Sequence, residues 1–239
     1  MARRRFFVPP VRRGTAELTG DEAEHLVRVL RAEVGQVYEI SDNSKLYLAE
    51  VETARKSLVS FKVLEELPLP PPEAEIVLAP ALVKFDRFEW MIEKATELGV
   101  TEIRPFEATR SERGLMAAAK KRIHRWEKIA LESSQQARRA HLPLIAEPVS
   151  FRHATELDAV VKLMLDEESG AAIWKCFPQA RAATDRIALL LGPEGGFTDE
   201  ERRKAHANGW RSCSLGGTVL RAETAAAAGI SVVRAAWGS

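Results

Sequence analysis

Two glycine-rich turns near the end of the chain carry the residues best suited to chemistry. The first, Gly192-Pro193-Glu194-Gly195-Gly196, follows the apolar run Ile187–Leu191. An uninterrupted apolar run of that length suits a strand buried on both faces of a parallel sheet. Beyond the turn, Thr198 is placed as a helix N-cap, Glu201 completes a capping box, and Gly209 is placed to end the helix. Strand, glycine loop and helix is how an α/β sheet presents a ligand at the carboxyl end of a strand. An ordinary tight turn has the same ingredients, and a glycine loop alone is weakly specific. The second turn sharpens the reading. Ser214-Leu215-Gly216-Gly217-Thr218-Val219-Leu220 runs into Arg221-Ala222-Glu223-Thr224, again strand, glycines and helix start. A generic sheet does not require two such loops with Arg221 behind the second.

The chemistry can be narrowed by what is missing from the sequence. It contains no G-x-x-x-x-G-K-[ST], no G-x-G-x-x-G and no G-x-S-x-G, so neither a nucleotide phosphate cradle nor a nucleophile elbow is supported. Gly192–Gly196 holds no lysine, which disfavours a polyphosphate ligand. A ligand held by backbone hydrogen bonds and apolar contacts, such as a nucleoside, fits better. His25, His124, His141, His153 and His206 show no metal-ligand spacing, so no metal site is expected. Cys176 and Cys213 form no C-x-x-C and read as core residues of a protein in a reducing compartment. The formal net charge is only +1, so any nucleic-acid role must come from local basic clusters. No apolar run reaches membrane-spanning length and Arg3-Arg4-Arg5 leads into no signal-peptide core, which makes the cytoplasm the expected location.

The elements that must position these loops fall on two sides of Leu67-Pro68-Leu69-Pro70-Pro71-Pro72, a stretch that favours a stiff, extended connection. Residues 1–72 are expected to form a small β-barrel domain. Its parts are a strand at Arg5–Val8, a helix over Glu22–Arg31, and strands over Gln36–Ser41, Leu46–Thr53 and Leu58–Leu64. On composition alone Arg28 and Arg31 read as solvated surface. One helical turn apart, they could also share a face with each other and with the N-terminal arginines, a patch that would suit backbone phosphates.

Residues 73–239 alternate strand and helix, which argues for an α/β domain with a mostly parallel sheet. Strands are expected at Ile76–Leu82, Thr101–Phe106, Leu144–Val149, Val160–Leu165, Ile187–Leu191 and Arg211–Leu215. Helices are expected from Asp86 to Leu98, with Asp86 and Glu89 as a capping box, over Ala117–Arg139, and from Ala222 to the end.

The pair Leu191–Gly196 and Ser214–Ala225 resembles the two C-terminal motifs of the SPOUT methyltransferases. More closely, the chain resembles the 16S ribosomal RNA uridine-N3 methyltransferases. That resemblance spans the whole sequence and includes Arg5-Phe6-Phe7-Val8, the run at 18–31, the run at 84–100, and Gln136 and Arg139 before Pro143. Two positions depart from the family pattern: Glu24 stands where a histidine is frequent, and Thr218 where an arginine is frequent.

The resemblance implies a PUA-like barrel joined to a trefoil-knotted α/β domain, a homodimer, and S-adenosylmethionine as cofactor. It implies methylation of N3 of a uridine in the 16S ribosomal RNA of the small subunit. Gly192, Gly196, Leu215 and Gly216 are then expected to hold the cofactor through backbone groups, with Leu165, Leu191 and Leu220 as apolar walls. Arg221 is expected to stabilise developing charge on the uracil. Glu194 is expected either to orient the cofactor amine or to act as base. Arg5, Arg28, Arg31, Lys84, Arg87, Gln136 and Arg139 are expected to contact RNA.

Overall fold

Prolines between β-rich and α/β sequence predict a boundary, and the computed structural model, which describes residues 4–168 and 170–238, forms two compact units that part at Pro71. The first unit takes the residues up to Pro71 and also Ser134–Leu142; the second takes Pro72–Ser133 and the described residues from Pro143 onward.

In the first unit, β1 (Arg5–Phe7), β2 (Thr15–Thr19), α1 (Gly20–Arg28), β3 (Val37–Ser41), β4 (Leu46–Arg55) and β5 (Leu58–Leu67) follow one another. The strands form one sheet in the order β1-β3-β4-β5-β2, antiparallel except for the β1–β3 pair. Register shifts between Leu48 and Ala49, and between Val51 and Thr53, interrupt the β4–β5 ladder; such irregularities bend a strand and increase its twist. The curled sheet wraps a core of Phe6, Leu18, Leu26, Ile40, Val51 and Phe61.

Two sequence expectations change here. β2 was not anticipated, although Thr15–Thr19 alternates exposed and buried as a half-buried strand should. The helix also ends at Arg28 and not at Arg31, which has φ 54° and so lies in the left-handed region. Arg28 and Arg31 therefore do not share a helical face. The segment Ser134–Leu142 is fastened to this unit by Ser41 Oγ donating to Ala140 O at 2.7 Å and by Leu142 N donating to Asn43 Oδ1 at 2.7 Å.

The second unit opens with β6 (Glu75–Pro80), α2 (Phe85–Glu97), β7 (Glu102–Ile103), β8 (Phe106–Glu107), α3 (Leu115–Lys120) and α4 (Ile123–Gln136), the last of which ends among first-unit residues. There follow β9 (Leu144–Ile145), β10 (Val149–Ser150), α5 (Phe151–Thr155), β11 (Val161–Leu165), β12 (Ala171–Ala172) and a single 3-10 turn at Ile173–Cys176. The unit closes with β13 (Arg186–Leu191), α6 (Asp199–Ala207), β14 (Arg211–Ser214) and α7 (Ala222–Trp237).

A parallel sheet in the order β12-β14-β11-β13-β6-β7-β9 forms its centre, and a separate pair joins β10 to β8. Ile76, Leu78, Leu163, Ile187 and Leu189 face one apolar layer, while Val77, Ala79, Met164, Ala188 and Leu190 face another. This two-sided burial explains why β6 and β13 read as continuous apolar runs. After β13 the chain passes through α6 to β14, beyond β11, and returns as α7 onto β13, β6 and α2. That crossing and return is the path expected of the knotted SPOUT domain.

α2 shows how its sequence decides its packing. Phe88, Met91, Ile92 and Ala95 recur at helical spacing and are all buried, each large one contributing roughly 1.5–3 kcal/mol. Its expected capping box does not form. Lys84 occupies the N-cap without a side-chain bond, and Glu89 instead accepts from Arg122 at 3.0 Å and Arg125 at 2.7 Å. Glu89 is better used there, because two guanidinium groups hold its carboxyl below the usual carboxylate range, Arg125 chief among them. The expected helix over Ala117–Arg139 is interrupted between Lys120 and Ile123 and ends at Gln136, with Arg138 at φ 53°. The expected strands Thr101–Phe106 and Leu144–Val149 are each split, so that their ends join different sheets.

The run of small residues in α7 has a packing reason. A β-carbon on Gly229 would lie 2.9 Å from Leu165 Cδ1, closer than real contacts allow. Gly229→Val should therefore destabilise the fold by about 1–3 kcal/mol, read as a lower denaturation midpoint; an unchanged midpoint would contradict this close approach.

Candidate functional site

The carboxyl ends of β11, β13 and β14 finish side by side, where an open α/β sheet binds ligands. A cavity of about 290 Å³ opens there within the second unit, close to the lower end of the roughly 300–1,000 Å³ usual for small-molecule sites. Leu165 ends β11, Leu191 ends β13, and Leu215 follows β14; all three line the cavity together with Leu220. Gly192, Glu194 and Gly196 come from the first glycine loop and Gly216 from the second. Every position expected to touch the cofactor is thus brought to one cavity, and Arg221 is there as well.

The local structure explains why these loops hold their shape. Thr198 and Glu201 form the expected capping box at the start of α6, with Thr198 N donating to Glu201 Oε2 at 2.9 Å. Glu201 is buried, and its other oxygen accepts from Thr109 N at 2.8 Å. One carboxylate therefore joins the helix after the first loop to the segment after β8.

From that segment Arg110 donates to Gly195 O at 2.6 Å and Phe197 O at 3.4 Å. Ser111 Oγ in turn donates to Leu82 O at 3.1 Å. The loop is thus braced from outside the cavity by residues that carry no recognisable motif. Only their spatial meeting reveals them. Arg110→Ala should raise the apparent Kd for the ligand about threefold to tenfold while leaving maximal turnover within twofold; unchanged affinity would show that the brace is idle.

Gly196 has φ 66° and its N–H closes a turn onto Pro193 O at 2.8 Å. A β-carbon on Gly192 would meet the buried Phe197 ring at 3.1 Å. Gly216, at φ 141°, faces open space. The Gly196 N–H is thus used inside the first loop, and Ser214 Oγ accepts from Gly216 N at 3.1 Å and donates to Gly216 O at 2.9 Å. The glycines keep both turns free of side chains that would fill the cavity.

The lining has few charges, and most are neutralised in pairs. Arg87, from the first turn of α2, donates to Glu194 across the cavity rim. Asp166, just past β11, accepts from Arg202 Nε at 2.7 Å. Burial pushes the Cys213 thiol up to about 12, so Cys213 lines the cavity as an uncharged group. Arg221 is the N-cap residue of α7, is exposed, and makes no side-chain cap. Its guanidinium is thus carried on a helix start that does not need it for capping.

The residues expected to touch RNA are distributed differently from one another. Arg5 is held within the first unit, donating to Glu39 at 2.7 Å and to Arg138 O at 2.5 Å, and its side chain is only 14% exposed. Arg28 is exposed and pairs with Glu24, the residue that departs from the family pattern. Arg31 and Gln136 are exposed, and Arg139 donates to His141 O at 3.2 Å. Lys84 is exposed at the start of α2, whereas Arg87 belongs to the cavity rim. Thr218, the other departure, also lines the cavity. Among the described residues no group of three potential metal ligands occurs, and no helix is long and apolar enough to cross a membrane.

Comparison with known proteins gives a consistent result. A family model described as an RNA methyltransferase domain matches residues 70–234, and one described as an RNA methyltransferase PUA domain matches residues 18–64. The chain is 32% identical over 229 residues to the ribosomal RNA small subunit methyltransferase E of Bacillus subtilis, covering 88% of this chain and 86% of that one. Among solved structures it is similar to the enzyme of the same name from Neisseria gonorrhoeae, bound to S-adenosyl methionine. The TM-score is 0.87 at 26% identity, over 99% of this chain and 98% of that one. A Legionella pneumophila protein solved in complex with the same cofactor gives 0.89 at 30% identity, over 99% and 98%.

Proposed function

Because the chain belongs to the family of RNA methyltransferases that carry a PUA domain, we propose that it methylates N3 of a uridine in 16S ribosomal RNA, using S-adenosylmethionine. The observation that carries this reading is the cavity at the ends of β11, β13 and β14, with both glycine loops and Arg221 on its lining. Its walls fit a nucleoside cofactor: leucines for the adenine faces, two glycine loops that put no side chain into the cavity at Gly192 and Gly216, and no lysine for a polyphosphate. When bound, S-adenosylmethionine supplies a methyl group on a sulfonium, which leaves as a neutral thioether.

The chain's part in the reaction follows from the uracil. N3–H lies between two carbonyls and is weakly acidic, and loss of its proton to solvent spreads negative charge over O2, N3 and O4. Formation of the N3–methyl bond then restores a neutral base. Arg221 stabilises the charge on those oxygens as it develops, in the manner of an oxyanion hole. The Glu194 carboxylate is already engaged by the Arg87 guanidinium. We therefore assign it to fixing the first loop against α2 and not to proton removal. The target base must be unstacked to reach the cavity.

The first unit, with Ser134–Leu142, serves as the RNA-holding domain, and residues from Pro72 onward as the catalytic one. Arg28, Arg31, Lys84 and Gln136, all exposed, and the half-buried Arg139 are the groups we assign to RNA, since backbone contacts need donors that reach the surface. Arg5 instead braces its own unit through Glu39 and Arg138. A homodimer is supported by the second unit's surface, where Trp90 is 43% and Val219 79% exposed and Glu223 buries an oxygen without a hydrogen-bond partner. The substrate places the enzyme in the cytoplasm with the small ribosomal subunit.

The direct assay incubates purified protein with methyl-labelled cofactor and small subunits from cells lacking the gene. Label should be recovered as 3-methyluridine; label in any other nucleoside would overturn the assignment.

A further inference from the structure

We propose that Glu167 recognises the ammonium group at the amino-acid end of the cofactor, and so selects for a complete amino-acid tail. This rests on the cofactor reading above. The turn after β11 carries Asp166, Glu167 and Glu168 in succession. Arg202 uses the outer two: its Nε lies 2.7 Å from Asp166 Oδ2 and its Nη2 2.9 Å from Glu168 Oε2. Glu168 N also donates to Asp166 Oδ1 at 3.2 Å. Held at both neighbours, the turn carries Glu167 into the cavity lining, where its Oε1 would be 3.8 Å from a β-carbon on Gly196.

Charge pairing on the lining then singles this residue out. Arg87 pairs with Glu194 and Asp166 with Arg202. Among the described residues, Glu167 and Arg221 are the charged lining groups that form no ion pair. A carboxylate exposed on a cavity built for a nucleoside has no partner on adenine, which is uncharged. The cofactor's tail supplies one, because an ammonium donates charge-assisted hydrogen bonds to a carboxylate. Arg202, paired with both neighbours, fixes the turn that carries that acceptor, which lowers the ordering needed on binding.

Calorimetric titration of wild-type protein and Glu167→Gln distinguishes this role from others. The probes are S-adenosylmethionine, S-adenosylhomocysteine and 5′-methylthioadenosine, the last of which keeps the nucleoside and sulfur but lacks the amino-acid end. Glu167→Gln should weaken the first two by roughly tenfold and leave the third unchanged, and Glu167→Asp should recover part of the loss. Equal weakening of all three would place Glu167 on the ribose and overturn the proposal. Weakening of S-adenosylmethionine alone would assign it to the sulfonium and overturn it equally, as would no change. Failure of the wild-type protein to bind S-adenosylmethionine would instead reject the cofactor reading itself.

Discussion

Arg221→Ala should reduce single-turnover methyl transfer by about 10²–10³-fold while changing cofactor affinity by less than threefold. The separation is expected because the side chain is exposed at the start of α7 and caps nothing. Surface truncations of that kind cost little stability, so the loss reports on charge stabilisation and not on folding. The deprotonated uracil exists only along the reaction path, so an interaction with it raises turnover without strengthening ground-state binding. Calorimetry for the cofactor and rapid-quench measurement of methyl transfer check the two quantities separately. Equal losses in both would remove the catalytic role and return Arg221 to the cofactor.

Gly196→Val should have the opposite profile. At φ 66° a β-branched residue is strained by about 1–3 kcal/mol, and the loop can relieve the strain only by moving. Movement breaks the turn from Gly196 N to Pro193 O and displaces the carbonyl of Gly195 that Arg110 holds. Cofactor affinity should fall roughly tenfold to a hundredfold. The circular dichroism spectrum should remain that of a folded protein, because the loop lies outside the apolar layers of the sheet. A variant with normal affinity would mean that the cavity is not the cofactor site.

The cavity was legible in the sequence because its parts are local. Gly192–Gly196 and Leu215–Arg221 each combine a strand end, glycines and a helix start within a dozen residues, and Thr198 with Glu201 announces a helix by composition alone. The supports were not legible. Arg110 reaches Gly195 O from another segment, Glu201 spends its second oxygen on Thr109 N, and Arg87 meets Glu194 from α2. Each depends on tertiary placement that periodicity does not encode.

The same limit explains the misplaced helix boundaries. Glu89 has the right spacing for a capping box, yet two arginines on α4 and its approach compete successfully for its carboxylate. The basic stretch after α3 reads as helix throughout, but the chain turns between Lys120 and Ile123. Ser134–Leu142 shows the largest gap between sequence order and structure. Nothing in its composition ties it to residues near Ser41 and Asn43, and the ties are single hydrogen bonds from across the chain. Likewise the path from β13 to β14 and back as α7 is invisible to local pattern, since knots are exceptions to how chains ordinarily connect.

Nucleoside analysis of 16S ribosomal RNA from cells lacking this gene tests the central claim most directly. The account predicts that 3-methyluridine disappears and returns on complementation with the wild-type gene but not with Arg221→Ala. Persistence of 3-methyluridine in the deletion strain would contradict it.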